Sequence, residues 1–356
     1  MSIIIFIIIL SALVIVHELG HFLVARFFGI RVDEFGLGFP PRAKELFTWK
    51  GTPFTLNWLP FGGFVKIFGE SPTEETNSTD SFQTKNRGIQ AAVLTAGVFG
   101  NFLFAWLLIS LGFVIGLPAP LGLDLPIENP QTVITTVLPE SPAEMAGLRS
   151  GDTIISLSRG SVVSALTPEE ASTFISASLE PIVFEIERGG EIYTKTVTPQ
   201  AGIVEDRPAV GISMDTIGIV KLPLHKALWH GIKTTSELTW LTGSAIGTFI
   251  FQALGGTADL SGVTGPVGIV GMVGDVRELG FVYLLTFAAL ISINLSIINL
   301  LPFPALDGGR LLFVAIEAVI RRPIPSRIFN ALNTAGFAFL IFLMLLITIR
   351  DVRNIF

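Results

Sequence analysis

His17, Glu18 and His21 stand together in "VIVHELGHFL", residues 14–23, inside an otherwise apolar run. Histidines four apart share one face of a helix, so both imidazoles reach a single ion. Glu18, beside the first of them, can touch a water held by that ion. This H-E-x-x-H spacing provides two zinc ligands and a general base for hydrolysis. Haem does not suit it, because ligands at i and i+4 on one helix cannot take opposite axial positions. The bland alternative is a satisfied buried histidine pair with a stray glutamate. Ionisable groups within an apolar span are costly and mark function, which favours the metal.

A catalytic zinc takes three protein ligands and keeps one position open. "NLSIINLLPFPALDGGR", residues 294–310, offers the third in Asp307. Pro302 and Pro304 end the preceding helix and Gly308-Gly309 follow, so the carboxylate is expected on non-helical chain. Such backbone at membrane depth is tolerated against protein or a water-filled cavity, and hydrolysis needs that water. Glu317, the other acidic residue nearby, has no comparable setting. Depth agrees with the pairing. His17 lies nine residues before Arg26, about 13 Å at 1.5 Å per residue, toward the inner end of the first span. Asp307 follows the inner end of the third.

The elements that position these residues are legible from composition. Of 356 residues, 50% are hydrophobic and 15% charged, with mean hydropathy +0.67. A soluble domain carries about a quarter charged residues. The composition therefore predicts a polytopic α-helical membrane protein with a soluble insert. The net charge of -6 gives no basic footprint for nucleic acid. Cysteine is absent, which excludes disulfides, thiolate ligands and a cysteine nucleophile.

Four stretches have the roughly 20 apolar residues that a bilayer span needs: 3–25, 90–117, 281–301 and 328–349. The first has no basic leader and no small-residue cleavage site, so it is expected to be a retained anchor. Arg31, Arg42, Lys44, Lys50, Lys66, Lys85 and Arg87 fall between spans one and two, and Arg310, Arg321, Arg322 and Arg327 between three and four. Both connections are expected on the cytoplasmic side. The acid-rich insert 118–280 and both termini then lie outside.

The expected organisation follows. Residues 1–28 are the first span with its motif, 29–89 a β-hairpin region and loop, and 90–117 the second span. Residues 118–215 form a small α+β domain with its core at 130–200, and 216–260 form amphipathic surface helices that lie on the outer membrane face or pack against that domain. Residues 261–310 hold the third span and "LDG", and 311–356 a connection, the fourth span and the tail. "TPFTLNWLPFGGFVKIFG", 52–69, reads as a hairpin turning at Gly62-Gly63. The stretch 71–81 reads as a polar loop, and its Asn77-Ser78-Thr79 acceptor pattern is discounted on the cytoplasmic side. Residues 262–274 place glycine at every third position, which suggests close backbone packing. His225 and His230, five apart, are expected to be ordinary packing or surface residues.

"SPAEMAGLRSGDTIISL" resembles the PDZ domains of bacterial membrane and periplasmic proteases, in a single copy. "HELGH", "WLPFGGFVKIFGE", "AGVFGNF", "AGLRSGD", "GPVGI" and "NLLPFPALDGGR" appear in order over most of the chain. Together they resemble the bacterial PDZ-containing site-2 proteases of regulated intramembrane proteolysis. The resemblance implies four transmembrane helices, a membrane-associated β-hairpin region and one extracytoplasmic PDZ domain in a bacterial inner membrane. It implies one Zn2+ per chain on His17, His21 and Asp307, with Glu18 as base. The implied substrates are single-span membrane proteins such as anti-sigma factors or remnant signal peptides, cleaved within the lipid bilayer. Asn294 and Asn299 match asparagines that hold the substrate backbone, Asn299 also as a candidate for stabilising the oxyanion. Gly62, Gly63, Phe64 and Val65 lie on the strand that would capture substrate. Asn101 matches a family position on the second span. Two departures stand out: one PDZ domain where some members have two, and valine in "AGVFGNF" where proline is common. Rival classes are an inactive scaffold, which would have lost Glu18 or a ligand, and a zinc transporter, which would string polar residues across several spans.

Overall fold

The computed structural model describes residues 1–70, 78–120, 125–160, 162–164, 167–204, 207–257 and 263–355. Most of the 71–81 loop, Asn77 included, and Gly262 fall outside them. The chain begins with α1 (Ser2–Phe27), β1 (Val32–Trp49), β2 (Thr52–Ile67) and α2 (Arg87–Ile115). Next come β3 (Leu117–Pro120), β4 (Glu128–Val137), α3 (Pro142–Met145), β5 (Thr153–Arg159), β6 (Val162–Ser164) and α4 (Pro168–Ser176). They are followed by β7 (Ile182–Arg188), β8 (Glu191–Val197), β9 (Gln200–Val204), β10 (Arg207–Ala209) and β11 (Ile212–Val220). The remainder is helical: α5 (Leu224–Leu254), α6 (Pro266–Leu279), α7 (Phe281–Leu300), α8 (Asp307–Ile320) and α9 (Ser326–Ile355). Two compact units result. The first is Met1–Ser110, Leu228–Asp275 and Leu285–Phe356, and the second is Leu111–Ala227 with Val276–Leu284.

Among the described residues, four helices are long and apolar enough to cross a membrane: Ser2–Phe27, Arg87–Ile115, Phe281–Leu300 and Ser326–Arg353. On α1 the buried positions Leu13, His17, His21 and Ala25 recur every fourth residue, with Phe22 beside them. This stripe faces protein and carries both histidines. The helix stops at Gly29, whose φ of +68° suits glycine. Where α1 meets α2, a Cβ added to Gly20 would stand 2.3 Å from the Ala96 carbonyl oxygen. The missing side chain therefore sets how closely the two backbones approach. Asn86 starts α2, its side chain accepting from the Ile89 N–H at 2.8 Å.

The β region differs from the expected 52–69 hairpin. Phe35 pairs with both Phe54 and Val65, Gly36 with Thr55 and Phe64, and Leu37 with Leu56 and Gly63. A strand has two hydrogen-bonding edges, so residues 35–37 run between the two apolar stretches. Gly62-Gly63 therefore does not close a hairpin, because its flanking runs bind opposite edges of β1 rather than each other. The true hairpin turn is Lys50-Gly51, with Trp49 opposite Thr52. Phe22 of α1 packs edge-on against Phe35 and Phe54, at 5.7 and 5.4 Å between ring centroids, and fixes this region to the helix.

Further differences concern the segments after the insert. Residues 216–220 belong to β11, and a single helix, α5, stands where more than one was expected. The glycine-rich 262–274 stretch opens α6. There the Gly268 N–H donates to the Asp351 carboxylate at 2.9 Å. A Cβ on Gly265 would stand 2.8 Å from the same carboxylate. The spacing thus admits a capping acid from α9.

In the second unit the strands run in the order β3-β11-β4-β5-β7-β8, with β6 beside β5. The sheet draws β3 and β11 from outside the expected 130–200 core. Ile182, Phe184 and Ile186 alternate inward along β7 and are fully buried. α4 starts with a capping box between Thr167 and Glu170 and has Pro168 in its first turn. Gly147 and Gly151, at φ +81° and +91°, turn the chain around α3. Asp152 is buried and accepts from Arg188 at 2.6 and 2.7 Å and from the Arg149 N–H at 2.8 Å. Its hydrogen bonds to the guanidinium push the Arg188 pKa up.

Candidate active site

His17 and His21 meet Asp307 inside the first unit. Asp307 Oδ2 lies 3.0 Å from His17 Nε2 and 3.3 Å from His21 Nε2, and the two ring nitrogens are 3.2 Å apart. Both histidines are buried, at 7% and 6% exposure. Despite these distances, Asp307 Oδ2 makes no well-formed hydrogen bond. The three ligand atoms lie within 4.8 Å of one another, close enough to share a single ion. Two imidazole nitrogens and a carboxylate oxygen are an ordinary catalytic zinc set.

The space at that point is also reserved. A Cβ added to Gly97 of α2 would stand 2.3 Å from His21 Nε2 and 2.8 Å from His17 Nε2. An ion held by both nitrogens needs about 2.0–2.1 Å from each. Glycine at this position leaves open the volume that a methyl would fill. The ring of His21 is oriented from the far side, its Nδ1–H donating to the Val93 carbonyl at 2.8 Å. That bond fixes the tautomer with a free lone pair on Nε2. The residues present therefore fit zinc.

Asp307 does not lie on non-helical chain as expected; it is the first residue of α8. α7 ends at Leu300, and the reversal over 301–306 is tight, with Ala305 at φ +77°. A Cβ on Gly308 would meet the Leu300 and Leu301 carbonyl oxygens at 2.2 and 2.3 Å. On Gly309 it would meet Phe303 O at 2.1 Å. The prolines end one helix, and the glycine pair lets the next begin at once beneath those carbonyls. The positive end of the new helix dipole favours a carboxylate there. Glu317, the rival acid, is engaged with Arg87 at 2.7 Å and with the Ile324 N–H at 2.8 Å.

The remaining candidates scatter. Glu18 is half-buried next to the ligand pair, and a Cβ on Gly63 would lie 3.8 Å from its Cγ. Gly63 thus adjoins the site. Gly62 lies under the Phe39 ring, Phe64 covers Gly36, and Val65 packs into the core around Phe22 and Phe35. Asn294 is exposed on α7 and Asn299 is half-buried. Ser292 and Ser296 of the same helix donate to the Asn101 and Val98 carbonyls of α2 at 2.8 and 3.0 Å. Asn299, seven residues after Ser292, shares that face, whereas Asn294 is about 200° around the helix from Ser292. α7 therefore does not bring the two asparagines to one side. Arg310 pairs with Glu70, tying α8 to the chain just after β2. The sequence reading missed Gly97 and the Val93 carbonyl. Gly97-x-x-Gly100 on α2 opposite Gly20 on α1 is the signal that marks this close helix contact.

Residues 5–343 match the family model described as Peptidase family M50. A Clostridium perfringens (strain 13 / Type A) protein named "Putative zinc metalloprotease" is 36% identical over 347 residues, covering 96% of both chains. Zinc metalloprotease RasP of Geobacillus kaustophilus (strain HTA426) is 32% identical over 432 residues, covering 100% of this chain and 98% of its own. A Campylobacter jejuni "Putative zinc metalloprotease" is 33% identical, covering 98% and 92%. The likeness runs through both units and every span rather than through one motif. Over nearly its whole length this chain belongs to peptidase family M50, the site-2 proteases, and is a multi-pass membrane zinc metalloendopeptidase.

Proposed function

We propose that the protein hydrolyses peptide bonds within the transmembrane segments of single-span proteins, anti-sigma factors and remnant signal peptides among them. The observation that carries this reading is the convergence of His17, His21 and Asp307 within a membrane helix bundle, with Glu18 alongside. When bound, zinc supplies Lewis acidity and makes water a nucleophile near neutral pH. Glu18 takes the proton of the attacking water and passes it to the leaving amine. Asn299, on the α7 face toward α2, donates to the developing oxyanion, and Asn294 holds the substrate backbone further out. A cavity of about 520 Å³, lined by Glu70, Leu94, Arg310 and Phe313 among others, lies beside α8.

A helical substrate has its carbonyls already hydrogen-bonded, so it must unwind to be cut. Among the described residues, 63–67 of β2 pair only with β1, which leaves their second edge free. The strand adjoins Glu18 at Gly63, and its free edge is our candidate for taking the unwound segment by strand addition. Proline substituted singly at Phe64, Val65 and Lys66 removes one N–H donor each. At least one of the three is expected to slow cleavage about fivefold or more with zinc content unchanged, since one lost backbone bond that leaves its acceptor unpaired costs about 1–3 kcal/mol. Unchanged cleavage at all three positions would rule out strand addition here.

The domain at 118–215 is read as a PDZ domain outside a bacterial inner membrane, with both termini outside. It admits substrates with trimmed outer regions and excludes bulky ones. Purified full-length protein should cleave a model membrane segment with a short outer tail and spare the same segment bearing a folded outer domain. Replacing 130–200 by a short flexible linker should admit the bulky substrate and leave the trimmed one nearly unchanged. No cleavage of either substrate by zinc-loaded wild type would sink the proposed function. Slower cutting of the trimmed substrate by the deletion, with the bulky one still refused, would make the domain a docking module instead.

A further inference from the structure

Asn101 lies on α2, is fully buried, and faces His17 from the side away from Asp307. Its amide nitrogen sits 3.3 Å from His17 Nδ1, and its side-chain oxygen is buried without a hydrogen-bond partner. One change resolves both facts. For Nε2 of His17 to offer a lone pair toward Asp307 and His21, Nδ1 must carry the ring proton. An Nδ1–H facing an amide N–H is a clash of donors. The nitrogen and oxygen of an asparagine amide are assigned by their surroundings. Turning the amide by 180° brings the orphaned oxygen to the ring proton.

We propose that Asn101 is the positioning residue for His17, accepting its Nδ1–H through the side-chain oxygen. It plays toward His17 the part that the Val93 carbonyl plays toward His21. α2 then supplies the acceptor for both histidines from positions two helical turns apart, and Ser292 of α7 fixes the Asn101 backbone through its carbonyl at 2.8 Å. The inference rests on His17 being a ligand.

The test uses full-length protein and needs no turnover. Zinc affinity is measured by competition with a chromophoric chelator for wild type, Asn101→Leu, Asn101→Asp and His17→Ala. Acceptors behind metal-bound histidines contribute about 10- to 100-fold in affinity, and Asn101→Leu should lose that much. Asn101→Asp keeps an acceptor and should bind at least as tightly as wild type. The chain has only four histidines, so imidazole 15N spectra of the zinc-stripped protein can report the His17 tautomer. A protonated Nδ1 is expected in wild type and Asn101→Asp, and a shift toward protonated Nε2 in Asn101→Leu. Wild-type affinity and an unchanged tautomer in Asn101→Leu would overturn the proposal. If Asn101→Leu fails to fold, a wild-type His17 protonated at Nε2 overturns it equally. Full zinc in His17→Ala would instead show that the ligand assignment itself is at fault.

Discussion

Glu18→Gln protein, purified in detergent, holds as much zinc as wild type and cleaves a model membrane segment at least about a hundredfold more slowly. Glutamine matches glutamate in size, so α1 keeps its packing and both histidines keep their places. The metal is held by His17, His21 and Asp307, none of which the change touches. What is lost is the only carboxylate beside the ligand pair on α1, and with it the acceptor for the proton of the attacking water. General acid–base catalysis contributes about 10²- to 10⁴-fold, so residual activity near the lower limit is compatible with the role. Equal turnover by mutant and wild type would remove Glu18 from the mechanism. Loss of zinc along with activity would make it a ligand rather than a base.

How much of this was legible in the sequence depended on whether the determinant was local. The four spans follow from unbroken apolar runs. The buried stripe of α1 follows from 3.6-residue periodicity, so the histidine pair could be placed on one face before any fold was known. α4 carries its own boundary in Thr167, Pro168 and Glu170. Asp307 could be nominated from its prolines and glycines, yet its backbone was misjudged. The prolines speak only for the end of α7, whereas the immediate start of α8 depends on carbonyls from 300–303 packing over Gly308 and Gly309. The β region failed for a related reason. Gly62-Gly63 is a sound local turn signal, but which strand pairs with which was decided by Phe35, Gly36 and Leu37 offering both edges, a choice no short window contains. Asn101 was singled out by resemblance alone, since its contact with His17 spans 84 residues of sequence.

Gly97→Ala should empty the metal site without removing a single ligand. The added methyl carbon would stand 2.3 Å from one ligating nitrogen and 2.8 Å from the other, inside the volume an ion bound to both must occupy. The helix itself gains by the change, because alanine is a better helix former than glycine by about 1 kcal/mol. Loss of zinc therefore cannot be ascribed to a weaker α2. The expected result is zinc depletion as complete as in Asp307→Ala, with loss of cleavage and an unchanged helical spectrum. Gly112→Ala in the same helix is the control. Its methyl would meet the movable end of Leu117 at 3.1 Å and the Val282 side chain at 4.0 Å, neither of them a ligand, and zinc should be retained. Thermal unfolding separates exclusion of the ion from general damage. If the methyl merely takes the place of the metal, Gly97→Ala melts with zinc-stripped wild type. A melting point well below the stripped protein would mean that the methyl drives α1 and α2 apart. Full zinc in Gly97→Ala would place the ion somewhere other than between His17, His21 and Asp307.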